Sequence, residues 1–252
     1  VTRQYGALAA PDVPSLMTRD SVLCLPIGSY EQHGPHLPLQ TDTIIAEGFT
    51  SRLVDRYGSS HDLWQLPAIP YGLSLEHAWA PGTISLLTAQ FSALLDAIVG
   101  QYVHATPARK LLIVNGHGGN RGILEVAIYE LTRAHQVSVC VVHPSSMSTV
   151  KIDSELPEIH AGTRETSVIM ALAPEQVHLE RLTDAYRTDP GQREQIRRLV
   201  LDRGVTWPWT SADERISSQG ITGGDARAAS AGLGEAIITS ALDASAAVLD
   251  AL

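Results

Sequence analysis

Four short apolar runs alternate with longer stretches of helical periodicity, and that alternation narrows the possible folds more than any other feature of the chain. The run at 22–27 precedes a helical stretch at 43–57 and a second run at 63–68. A helical stretch at 88–104 then leads to runs at 110–114 and 137–142, with a helix at 120–134 between them. The stretch over 88–104 is the clearest: Phe91, Leu94, Leu95, Ile98, Val99, Tyr102 and Val103 recur at i, i+3, i+4, i+7, i+8, i+11 and i+12, one apolar face of an α-helix. Strands separated by helices predict a three-layer α/β/α fold, a mostly parallel central sheet covered on both faces. No linker interrupts the rhythm, and 252 residues at 44% hydrophobic can enclose one sizeable core, so residues 1–252 are expected to form a single domain. A long helix from Gly234 closes the chain.

Between the first run and the first helix lies Glu31-Gln32-His33-Gly34-Pro35-His36-Leu37-Pro38-Leu39-Gln40-Thr41-Asp42, which packs two carboxylates and two imidazoles into twelve residues. In extended backbone residues i and i+2 point the same way, so Glu31 and His33 can reach one point. Gly34 and Pro35 then force a turn, and Asp42 returns where the helix with Ile45, Phe49 and Leu53 on one face begins. Carboxylate, imidazole and a returning carboxylate form an oxygen and nitrogen donor set suited to Zn²⁺, Mn²⁺ or Fe²⁺. The alternative is plain: Asp42 as a helix N-cap, with Glu31 and His33 as solvated loop residues.

Two later segments add the same kinds of group. The run Lys110-Leu111-Leu112-Ile113-Val114 ends in Asn115-Gly116-His117-Gly118-Gly119-Asn120, a buried strand feeding a glycine-rich loop, with Asn120 placed to cap the next helix. In open α/β sheets ligands bind at such strand ends. In His160-Ala161-Gly162-Thr163-Arg164-Glu165-Thr166-Ser167, a glycine precedes an apolar helical run, which puts Glu165 in a first helical turn. A lone glutamate there serves by default to complement the helix dipole.

These three blocks resemble those of the creatininase (creatinine amidohydrolase) family. Pro70-Tyr71-Gly72-Leu73-Ser74, Glu76-His77, Pro81-Gly82-Thr83-Ile84-Ser85-Leu86 and Gly220-Ile221-Thr222-Gly223-Gly224-Asp225 extend the resemblance from about residue 22 to about residue 235. It implies a layered α/β/α architecture, often assembled as a hexamer, and two divalent ions per chain, Zn, Mn or Fe. Glu31, Asp42 and His117 would hold one ion, His33 and Asp42 the other, with Asp42 as the bridge. Creatininase itself carries a glutamate two residues after the histidine of its second block, where this chain has Gly119; Glu165, the carboxylate of the third block, is expected to replace it. His160 matches a family histidine near the substrate, a candidate proton shuttle, and either His160 or Glu165 is expected to hand a proton to the departing nitrogen. His36 and Asn120 are expected to orient the ligands, the N–H groups of Gly118 and Gly119 to face the substrate, and Tyr71, Ser74 and His77 to lie on its side of the site. The implied reaction is hydrolysis of a C–N bond in a cyclic or linear amide. The Gly119 departure argues against creatinine, and the family also contains a deformylase of pyrimidine precursors, a peptidase trimming the mycofactocin precursor and a hydrolase of oxidised inositol. A short-peptide peptidase is therefore the second expectation within the class.

Outside the class stands a non-catalytic α/β ligand-binding module. Neither G-x-G-x-x-G after the first strand nor G-x-x-x-x-G-K-[ST] is present to support it, and Gly72-Leu73-Ser74-Leu75-Glu76 breaks the G-x-S-x-G elbow of a serine hydrolase at its last position. A formal charge of −9 without a basic block disfavours nucleic acid and anionic membranes as partners. No apolar stretch of about 18 residues and no basic start with an apolar signal core stand out, and Cys24 and Cys140 read as free thiols in strands. A cytoplasmic protein, homo-oligomeric, is the expectation. Trp207 and Trp209 line a substrate pocket or a subunit contact, or pack under the polar connection 187–220.

Overall fold

The computed structural model describes residues 3–252; Val1 and Thr2, on which the expectation of no signal start partly rests, lie outside the described residues. The elements, in chain order, are α1 (Asp12–Leu16), β1 (Val22–Ile27), α2 (Thr41–His61), β2 (Leu63–Gln65), α3 (Thr88–Ala105), β3 (Lys110–Asn115), α4 (Arg121–His135), β4 (Ser138–Val142), α5 (Pro144–Met147), α6 (Thr163–Leu172), α7 (Gln192–Ile196) and α8 (Ala231–Ala251). The four strands form one sheet in the order β2-β1-β3-β4, every pair parallel.

Period-two alternation along the strands divides the core between two faces. Val22 and Cys24 of β1 and Leu112 and Val114 of β3 face Ile45, Phe49 and Leu53 of α2, together with apolar residues of α6 and α8. Leu23, Leu25, Ile27, Leu111 and Ile113 face Phe91, Leu95 and Val99 of α3 and Leu124 and Leu131 of α4 on the other side. This is the three-layer α/β/α arrangement the periodicity predicts. A small separate cluster of Leu156, Ile196 and Ile216 packs under the polar connection.

Three boundaries differ from expectation for identifiable reasons. β2 stops at Gln65 rather than running to residue 68, because Pro67 has no N–H to donate to a ladder; Leu66 and Ile69 still donate to the Cys24 and Pro26 carbonyls, at 2.9 and 3.0 Å. α2 begins at Thr41, so Asp42 lies inside its first turn and is not the N-cap, which is Gln40. Asn120 precedes α4 without a side-chain capping bond. Its amide instead donates to Gly28 O and Asn115 Oδ1, at 3.1 and 3.2 Å, and accepts from Leu73 N at 2.9 Å, tying three loops together.

α8 begins at Ala231, capped by the Ser230 side chain accepting from Leu233 N, and it corrects one expectation. It contains an 18-residue window of mean hydropathy 1.3, long and apolar enough by that measure to cross a membrane. Alanines supply much of that hydropathy. Its Ile237, Ile238, Ala241, Leu242 and Leu249 belong to the core face. At Gly234 the backbones of α8 and α6 approach so closely that a Cβ would overlap the Ser167 carbonyl.

The strand order places the site. From β1 the chain moves outward to β2 and then crosses to β3 on β1's other flank, so the connections leaving the paired carboxyl ends of β1 and β3 part to opposite faces of the sheet, into α2 and α4. Such a switch point is where open α/β sheets bind ligands. Gly28 and Gly116 follow those two strands, and α2 rests on both: a Cβ on Gly28 would overlap Thr43, and one on Gly116 would overlap the Asp42 carbonyl.

Candidate metal centre

Glu31 and His33 lie just beyond β1, His117 just beyond β3, Asp42 in the first turn of α2 and Glu165 in the first turn of α6. These residues converge. His117 Nδ1 lies 3.1 Å from Asp42 Oδ2 and 3.3 Å from Glu31 Oε2. His33 Nε2 lies 3.4 Å from Asp42 Oδ1, 3.7 Å from Glu165 Oε2 and 3.9 Å from Glu31 Oε1. Asp42 thus turns one oxygen to each imidazole. Glu31, Asp42 and His117 form one group able to hold a cation, and His33, Glu165 and His160 a second.

Glu31, His33 and Asp42 are buried to 1% exposure or less. Both Glu31 oxygens, Asp42 Oδ2 and His33 Nε2 have no hydrogen-bond partner among the described residues. Buried carboxylates without donors cost several kcal/mol, on the order of what a bound cation repays. Burial opposes charge on Glu31 and Asp42, yet the His117 and His33 imidazoles outweigh it and hold both carboxyls below their ordinary range. Burial likewise opposes a proton on His33, but Asp42, Glu165 and Glu31 raise it to about 9; Glu31 and Asp42 raise His117 well above its usual value. Glu165 is the exception, pushed by burial up to about 7, and it accepts a hydrogen bond from Ala161 N at 2.6 Å. The donor set of carboxylate oxygens and imidazole nitrogens fits Zn²⁺, Mn²⁺ or Fe²⁺.

His160 stands closer to this cluster than a shuttle facing the substrate would. Its Nε2 donates to Gln32 O at 2.7 Å, which leaves the Nδ1 lone pair 3.6 Å from Glu31 Oε1. Burial, with His77 and His33 beside it, keeps the ring neutral by lowering it well below its usual value. His77 stacks on His160 at 3.9 Å between centroids, its Nε2 3.6 Å from Glu31 Oε1 and its Nδ1 2.7 Å from Ser211 Oγ; burial lowers it to about 4. The Gln32 backbone carbonyl thus fixes the His160 ring, while the Gln32 side-chain nitrogen, with two hydrogens to give, lies 3.0 Å from His77 Nδ1 and 3.1 Å from Ser211 Oγ and Gly220 O. Gln32 and Ser211 carry no chemical signature in the sequence and were not legible there.

A cavity of about 340 Å³ opens over the cluster, lined by Glu31, Asp42, His117, Gly118, Gly119, His160 and Glu165, and also by Glu76, His77, Glu158, Arg121 and Trp209. Trp209 meets His77 edge-on at 5.8 Å, whereas Trp207 is exposed. Tyr71 is exposed and stacks on Tyr30, and Ser74 is buried; neither lines the cavity. His36 bonds Thr166 Oγ1 at 2.9 Å, so it ties the ligand loop to α6 rather than touching a ligand. The structure also explains Gly119. A Cβ there would overlap Leu73 O and His117 Nε2 and lie 2.7 Å from Glu76 Oε1, so a carboxylate from a different loop already occupies the space beside it. Glu76 Oε1 is 3.8 Å from His117 Nε2.

Burial and the His33 charge lower His36 to about 4, which makes a separable prediction. The unfolded chain takes up a proton near pH 6.5 and the folded one only near 4, so this contribution is full above 6.5 and lost as pH falls toward 4. Between pH 7 and 5 wild type should lose about 2 kcal/mol that His36→Gln does not, measured by denaturant unfolding.

A family model described as Creatininase: Creatinine amidohydrolase matches residues 6–249. The mycofactocin precursor peptide peptidase of Mycolicibacterium smegmatis is 36% identical over 163 residues, 64% of this chain and 62% of that protein's length. The creatinine amidohydrolase of Pseudomonas putida is 29% identical over 185 residues, covering 66% of this chain and 69% of its own. A solved manganese creatininase superposes with a TM-score of 0.76 at 24% identity, over 100% of this chain and 97% of that one. The chain belongs to the creatininase family.

Proposed function

We propose that the chain is a metal-dependent hydrolase that cleaves the C–N bond of an amide in a small molecule. The observation that carries this reading is the convergence of Glu31, His33, Asp42, His117 and Glu165 from four places in the chain, with buried oxygens left for a cation to satisfy. Glu31, Asp42 and His117 would hold one divalent ion and His33, Asp42 and Glu165 a second, with His160 Nδ1 beside the latter. When bound, such ions supply Lewis-acid polarisation of the scissile carbonyl and lower the pKa of water toward neutrality.

The chain's own groups do the rest. Leu73 O accepts from His117 Nε2 at 2.7 Å and Glu31 O accepts from His33 Nδ1 at 3.2 Å, so each ring keeps its other nitrogen free for the cluster. Glu76 reaches the cavity with no hydrogen bond to its carboxylate from any other described residue, and burial raises it above its ordinary value; it is placed to accept an N–H of the bound amide or to pass a proton to the departing nitrogen. His77 and Trp209, edge to face, form one wall of the cavity.

The test is reconstitution. Chelator-treated protein should lose turnover of lactams, formamides and short peptides and regain it with Mn²⁺, Zn²⁺ or Fe²⁺; full turnover by metal-free protein would end the mechanism. Glu165→Ala should retain roughly one of two ions per chain by elemental analysis, and retention of both would remove Glu165 from the ligand set. A second reading, a peptidase of a short precursor peptide, is favoured by the 36% identity to the mycobacterial peptidase over that to the creatinine enzyme.

A further inference from the structure

We infer that Arg121 is the specificity residue of this cavity and that the substrate carries a carboxylate, which its guanidinium receives. The inference rests on the proposed amide-hydrolase reading. Among the residues lining the cavity Arg121 is the lone arginine or lysine, and the acids that share the lining are Glu31, Asp42, Glu76, Glu158 and Glu165. Those acids are otherwise engaged or otherwise aimed. Glu31, Asp42 and Glu165 belong to the candidate metal groups. Glu158 accepts from Gly224 N at 2.8 Å and Arg164 N at 2.9 Å. Glu76 lies against His117.

Arg121 forms no ion pair with any described residue. Its Nη2 donates to Ser146 Oγ at 2.8 Å, and its Nε and Nη1 find no acceptor among the described residues. The side chain is half-buried at the first position of α4, one turn beyond Gly118. The space beside Gly118 is open: a Cβ there would meet no atom within 4 Å. A guanidinium anchored by one bond, with its remaining donors unused beside an open floor next to the cation cluster, suits one anionic group held while an amide a few bonds away lies over the metals. Arginine matches a carboxylate with two parallel N–H···O bonds, which makes the contact selective as well as attractive.

The experiment separates this from the proposed chemistry. Metal-loaded wild type, Arg121→Gln and Arg121→Lys are titrated calorimetrically with N-acetylglycine and with N-acetylglycinamide, which differ in the carboxylate alone. Wild type should bind the carboxylate at least about tenfold more tightly, Arg121→Gln should fall to within about twofold, and Arg121→Lys should keep part of the preference. Melting temperature and metal content establish that each variant is folded and loaded. Equal affinities in wild type, no detectable carboxylate binding, or a preference undiminished in Arg121→Gln would overturn the inference; the last would mean that the metals themselves take the carboxylate. Turnover of amides without any carboxylate preference would sink this inference and leave the amide-hydrolase reading standing. A preference that depends on Arg121 in a protein that hydrolyses no amide would do the reverse.

Discussion

Asp42→Ala should leave the protein folded but with neither divalent ion, and hydrolysis should fall by more than about 10³-fold, the several kcal/mol that metal assistance contributes. The reason is geometric. Asp42 Oδ1 and Oδ2 face His33 and His117 separately, so its removal would take a ligand from both proposed ion positions, whereas loss of Glu165 touches one. Removing Asp42 also takes the counter-charge from two buried imidazoles, so the apo form should unfold at a lower denaturant concentration than apo wild type while remaining folded without denaturant. Elemental analysis beside an unfolding curve checks both halves. Metal content equal to wild type would dispose of the bridging role.

Gly116→Ala should destabilise the fold by on the order of 3 kcal/mol or more and empty the site as well. Its Cβ would overlap the Asp42 carbonyl and lie 3.2 Å from Ala46 N, all backbone of α2, which cannot rotate away as a side chain would. The helix would have to lift from the sheet, carrying Asp42 away from His117 and loosening the contacts of Ile45 and Phe49. Gly118→Ala, two residues past the helix contact and with nothing within 4 Å of its Cβ, is the matched control and should fold as wild type. Denaturant midpoints and metal content of the two variants decide the matter, and similar midpoints would show that α2 does not depend on that close approach.

Much of the architecture was legible because it is periodic. The helix at 88–105 repeats its apolar residues so regularly that its expected and observed limits differ by one residue at one end. The strands at 22–27 and 110–115 are short, apolar and bounded by glycine. β2 was overextended because apolar composition continues past Gln65 while Pro67 ends the hydrogen-bonding pattern. α8 was started late because the Ser230 cap and the small residues after it carry no hydrophobic signal. The connection 187–220 has no period at all, so nothing in it announced that Ser211 and Trp209 return beside His77.

By itself the sequence determined the layered alternation and the ligand-type residues at strand ends and first helical turns, since both follow from local periodicity and from chain direction at glycine and proline. Which of those residues share a point was decided by the tertiary structure. The β2-β1-β3-β4 order brings the ends of β1 and β3 side by side, close packing of α2 on Gly28 and Gly116 lowers Asp42 between two imidazoles, and a separate loop delivers Glu76 beside Gly119. Such contacts depend on which backbones can approach, a property of the packed chain that no stretch of it carries alone.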